Sequence, residues 1–368
     1  MVVIKRVGAL LGLGIMLLGF SAIPVQTQED NSKIHNMTIE QAVELALENN
    51  LQVKIAQADK KKKDAAYAYA KTISRTIKEY QGSSFQERLA EDLKPRIAER
   101  QGEQAERLYQ VTLNGVKILA ESAFYELLKA KENLEIAENA LKRADEQLKL
   151  TNIRFEVGSA AKIEVLKAEA AQAGTRASLT AAQNNYKQKM LELNKVLGID
   201  LQTVVEPQGS FSFNREEFVL QQLLDRAMLE ESSLIQAEDN AAVAQWTYEF
   251  IKNYYTPSYG DAKTAEQDAV MADLMLSQTR NNVITTVNQS YLSLKAAEEQ
   301  YEYLKKAVEL SYEAYRLTQL SYELGMSTLD ELQKASDDVK VAEAQLSECI
   351  YNYNILKACL KNCIYSLR

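Results

Sequence analysis

Helix breakers are scarce in this 368-residue chain: 13 glycines and four prolines make up about 5% of it, against roughly 12% in average usage. Gly8, Gly12, Gly14, Gly19 and Pro24 fall within an apolar stretch at the start, so the body is almost free of turn-forming residues and must be built from long helices. Histidine is limited to His35, which excludes a His-paired nucleophile in the body and any HExxH metal site. No glycine-rich phosphate loop and no CxxC pair is present. The three cysteines, Cys349, Cys359 and Cys363, are an odd number crowded at one end and do not make a disulfide framework. A net charge of −8 argues against a nucleic-acid partner. What remains implies no enzyme, no metal and no cofactor.

What is present begins with a leader. Lys5 and Arg6 precede an uncharged run from Val7 to Val25, the charged and apolar regions of a secretory signal. Residues 1–27 are read as a signal peptide or an N-terminal anchor, since nineteen uncharged residues also suffice to span a bilayer. Either way the expected location is the extracytoplasmic face of the cell envelope, and membrane contact is expected only through an uncleaved leader. Residues 28–37 follow as a polar lead-in.

The rest is a duplication. Arg154-Phe155-Glu156-Val157-Gly158 recurs as Ser321-Tyr322-Glu323-Leu324-Gly325 at an offset of 167, which also pairs Asn185-Tyr186 with Asn352-Tyr353. Nearer the start, Ala46-Leu47-Glu48 matches Ala227-Met228-Leu229 at an offset of 181, so the second copy has lost fourteen residues. Strict sevens run through both copies: Leu113, Ala120, Leu127, Leu134, Leu141, Leu148 and Phe155, with a row of smaller residues from Val116 through Ala130, Ala137 and Ala144 to Thr151. The second copy gives Val287, Leu294, Tyr301, Val308, Tyr315 and Tyr322. A sustained seven-residue period predicts left-handed supercoiling. New heptads start after each glycine (Val165 to Leu193, and Leu332 to Leu367), so each copy ends in a long antiparallel hairpin. The expected fold is all-α: repeat 1 over 38–198 with its turn near 156–160, an extended linker over 199–217, and repeat 2 over 218–368 with its turn near 323–328. Cys349 and Cys363 fall on a row of small core residues and read as packing; Cys359 lies off it.

These residues carry a family pattern. Thr38-Ile39-Glu40-Gln41-Ala42-Val43-Glu44-Leu45-Ala46-Leu47-Glu48-Asn49-Asn50 resembles the opening of the TolC-type outer-membrane efflux proteins. Arg154 to Gly158 with Glu164-Val165-Leu166 resembles their hairpin tip, and Leu193-Asn194-Lys195-Val196-Leu197-Gly198 the end of their first repeat. With the duplication, the likeness extends over residues 38–368. It implies a homotrimeric α-helical conduit whose tips meet a periplasmic membrane-fusion-type adaptor serving an inner-membrane pump. The departure lies where the family places membrane strands. Thr72–Glu103 has Phe85, Leu89, Leu93 and Ile97 at intervals of four with charges between, and Lys252–Ala272 is similarly charged, so neither fits the alternation of a lipid-facing strand. A member without a transmembrane β-barrel is expected, suited to an envelope with no ordinary outer membrane to cross.

Two readings accompany each candidate site. Arg154, Phe155, Gly158, Ser321, Tyr322 and Gly325 form the tips, either as structural closures or as an adaptor-docking surface as well. Asp330, Asp337 and Asp338 follow the second tip and are a candidate acidic constriction in an oligomer. Lys60 to Lys63 read as a solvated helix face or a contact with anionic lipid. For the whole chain the choice is between a component of an export system and a non-transporting coiled-coil scaffold of the envelope.

Overall fold

A computed structural model describes residues 35–81, 83–209, 212–254 and 260–362. The stretch read as a leader, Pro257 and Cys363 lie outside them. Strand β1 (His35–Met37) leads into helices α1 (Ile39–Asn49) and α2 (Leu51–Tyr80). A short helix α3 (Phe85–Arg88) and a π-helical turn (Leu89–Leu93) precede the 63-residue α4 (Lys94–Glu156), about 95 Å long at 1.5 Å per residue. Then come α5 (Lys162–Leu197), strand β2 (Val205–Pro207), α6 (Leu220–Glu230), α7 (Ser232–Tyr254), α8 (Gly260–Glu323) and α9 (Leu329–Lys361). Among the described residues no helix is long and apolar enough to cross a membrane.

The boundaries follow from local chemistry. Thr38 opens α1 with a reciprocal capping box to Gln41. Asn50 ends α1 and starts α2: its side chain accepts from Gln52 N and donates to the Val196 carbonyl of α5 at 3.1 Å, so one residue sets the joint. Pro95 sits in the first turn of α4, where its missing N–H costs little; α2 ends at the left-handed Gln81, and α3 starts from a capping box at Ser84. The two windows that depart from the family's strands are thus largely helical, filled by the ends of α2 and α4 and of α7 and α8.

The lead-in is less featureless than its polarity suggested. His35–Met37 pairs in parallel with Val205–Pro207 of the linker, and Asn194 of α5 donates to the Leu201 and Thr203 carbonyls, folding the linker over the helix end.

Near the tips the helices form a row, α5–α4–α9–α8, each packed on the next. Away from the tips the row is α2–α4–α7–α8. Each repeat has its own core: Phe124, Leu127, Leu193 and Leu197 under α1, and Leu294, Tyr353 and Leu360 under α6. A third core of Tyr315, Tyr322, Leu329, Leu332 and Val339 lies toward the tips, and Ile118 with Ile355 and Cys359 joins the halves. Cys349 is buried and its thiol points at the Ala297 carbonyl, 3.6 Å away; the unassigned Cys359 is equally buried. On α4 the row of small residues lies deepest, while Leu134, Leu141 and Leu148 are half-buried. The reason is that α4 packs between two helices, so its buried sector is broad and takes in Arg143 and Gln147 as well.

Candidate functional site at the hairpin tips

Both tips close by the same backbone device. Gly158 and Gly325 adopt φ of +77° and +73°, a region open to glycine without a Cβ penalty. Gly158 N donates to the Phe155 carbonyl and Ser159 N to that of Arg154, at 3.0 and 2.7 Å. Gly325 N donates to Tyr322 and Met326 N to Ser321, at 3.0 and 2.8 Å. The tips differ in how the returning helix starts. Thr328 and Glu331 form a capping box on α9, reinforced by Ser327, and those hydrogen bonds hold the Glu331 carboxyl below its ordinary pKa; Ala161 gives α5 no side-chain cap.

The two tips are fastened to each other. Arg154 donates to the Tyr322 carbonyl at 2.9 Å, its guanidinium lies 4.3 Å from the centre of the Tyr322 ring, and the Tyr322 hydroxyl is 2.9 Å from Thr151 Oγ1. Tyr322 is fully buried, so it does not project from the bundle, and Arg154 is engaged across the seam. Lys167 adds an ion pair to Asp330 at 2.9 Å. Phe155, 40% exposed, carries Lys162 against its ring, and Ser321 is half-buried. Asp337 and Asp338 are exposed on α9.

What the tips do present is apolar. Val157, Leu324 and Met326 are 73%, 67% and 79% exposed, with Ile163 and Leu166 beside them. These were absent from the sequence-derived candidates, although large apolar residues flanking a turn glycine, outside the core row, are themselves a signal.

At the far end the halves are joined differently. Asp239 of α7, buried, is clasped by Arg107 at 2.7 and 3.0 Å and by Arg100, and Arg96 stacks on Trp246. Sequence alone did not single out Asp239, because its partners lie more than 130 residues away. No group of His, Cys, Asp and Glu suited to a metal ion occurs among the described residues.

The outer membrane protein TolC of Vibrio cholerae is 27% identical over 162 residues, which are 44% of this chain and 37% of that protein, so the match covers little more than a third of the relative. Among solved structures, the outer membrane protein VceC of Vibrio cholerae aligns at a TM-score of 0.75 and 15% identity over 89% of this chain and 96% of that one. The CmeC outer membrane channel of Campylobacter jejuni aligns at 0.69 and 13% identity over 89% and 85%. At those identities the likeness is one of fold. The model of the outer membrane efflux protein family matches residues 96–199 and 261–363, the two long hairpins α4–α5 and α8–α9. With both halves of its duplication matched, the chain belongs to the outer membrane efflux protein family.

Proposed function

We propose that this chain is the helical protomer of an efflux conduit in the cell envelope, closed into a ring by copies of itself. The observation that carries this is the pair of free edges on the helix row. On α8, Tyr303, Leu310 and Leu317 form an exposed heptad row. On α5, at the opposite edge, Ala170, Ala173, Ala177 and Ala181 form an exposed row of small residues around Gly174. From Glu169 to Glu192, α5 buries no residue within the protomer. Large knobs on one edge and alanine holes on the other suit a head-to-tail contact, which closes into a ring when the rotation allows. Three copies is the number the family resemblance implies.

In such a ring the six tips share one end. Their exposed Val157, Leu324 and Met326, with Phe155 beside them, would dock an adaptor that couples the conduit to an inner-membrane pump. Exposed Asp337 and Asp338, with Asp330 beside Lys167, would supply the acidic constriction. Analytical ultracentrifugation of residues 28–368 at micromolar concentration tests the ring: a trimer is expected, and Leu310→Glu with Leu317→Glu should reduce it to monomer with helicity retained. A wild-type monomer throughout would overturn the conduit and leave the scaffold. Docking is tested separately, by loss of crosslinking to the adaptor in Leu324→Ser/Met326→Ser.

A further inference from the structure

At the end away from the tips the free edges are α2 and the first turns of α8, and their chemistry is different. Helix α2 carries eight basic residues against three acidic ones, in a chain whose net charge is −8. Residues 260–273 of α8 carry four acidic residues, Asp261, Glu266, Asp268 and Asp273, against one lysine. Both charged faces are exposed: Lys61 and Lys62 on α2, and Glu266, Asp268 and Asp273 on α8. Lys60 and Lys63 are turned inward, pairing with Glu106 and Gln101 of α4, which leaves Lys61 and Lys62 on the outer side. Val270, Met271, Leu274 and Met275 lie exposed among the carboxylates.

The two faces also stand at one level. Pairs Lys63–Gln101 and Lys60–Glu106 fix α2 against α4. A cavity of about 320 Å³, lined by Gln101 and Gln104 of α4, by α7, and by Ala265 and Asp268 of α8, brings those stretches of α4 and α8 to one level. Lys61 and Lys62 are therefore level with Ala265 to Asp268, on opposite edges of the same protomer.

Resting on the ring reading above, we propose that a second copy of this chain covers this end through an electrostatic seam, α2 of one copy against the start of α8 of the next. The stems of Lys61 and Lys62 would lie over Met271 and Leu274 while their ammonium groups reach Asp273 and Glu266. The ring is then held by two unlike seams: a dry, salt-indifferent one between α5 and α8 toward the tips, and a screened, salt-sensitive one at the far end. Raised salt opens the far end while the tip end stays closed.

The test uses the full chain with two engineered cysteine pairs, each read by bismaleimide crosslinking between copies: Ala65→Cys with Gln267→Cys across the far seam, and Ala173→Cys with Leu310→Cys across the tip seam. Between about 50 mM and 0.5 M NaCl the far-seam crosslink should fall about five-fold and the tip-seam crosslink should hold. Lys61→Glu/Lys62→Glu should abolish the far crosslink at low salt, and adding Glu266→Lys/Asp273→Lys should restore it. A trimer whose far-seam crosslink is absent or indifferent to salt and charge reversal overturns this seam and leaves the ring standing. A monomer at every salt concentration, with neither crosslink, overturns both.

Discussion

Gly198 and Gly158 share a left-handed backbone, with φ of +68° and +77°, but only one is enclosed. A Cβ on Gly198 would come within 3.0 Å of Asn49 Cβ and 3.1 Å of its carbonyl oxygen, whereas one on Gly158 meets nothing within 4 Å. Gly158→Ala should therefore cost only the φ strain, about 1 kcal/mol. Gly198→Ala adds a backbone clash at the α1–α5 joint and should cost clearly more; urea unfolding of the two variants gives the order. Cys359 makes a second case. Burial pushes its thiol up to about 11 from an ordinary 9.0. Because the folded value is the higher one, the thiol's contribution to stability is complete below pH 9 and is lost as pH rises from 9 toward 11. Cys359 should resist thiol reagents at pH 8 until denaturant is added, and Cys359→Ala should flatten the alkaline loss of stability in that window. Labelling of native protein at the rate of a free thiol would contradict the burial.

Between elements, the joint at Asp239 combines a buried carboxylate with two arginines whose side chains are about one-third exposed. Removing the acid leaves two facing cations with only the longer Arg100–Glu103 pair, 3.6 Å, to offset them, so Asp239→Ala should destabilise the α4–α7 contact by about 3 kcal/mol. Hydrogen exchange should show α7 opening first, with the tip hairpins protected as before. At the tips, Arg154→Glu loses a hydrogen bond to the Tyr322 carbonyl and a stacked cation, and places a carboxylate beside that carbonyl. The expected loss is about 2 kcal/mol. Because this variant disturbs the tip itself, weaker crosslinking to an adaptor in it would not establish docking, and Val157, Leu324 and Met326 are the cleaner probes.

At the scale of the whole molecule, the helices expose two edges that one copy cannot cover, each bearing apolar residues in register. Residues 28–368 should be almost wholly helical by circular dichroism, because the windows corresponding to the family's strands are helix-rich. A substantial β signal would show those windows refolded.

Long helices, the duplication, the glycine turns and the heptad rows were legible in the chain, because each is a local or periodic property: breakers are few, and a strict seven-residue period has one geometric outcome. The identity of the tip turns was legible for the same reason. What only the tertiary structure decided are relations between distant residues. Arg154 is spent on the opposite tip and Tyr322 is buried, so the exposed tip surface consists of Val157, Leu324 and Met326. Asp239 finds its arginines, and His35–Met37 finds its partner strand, across more than 130 residues of sequence. A period specifies that a helix has a buried face. Which helix covers that face, and which edge is left over, depends on how long helices cross one another, and that is settled only when all of them are packed.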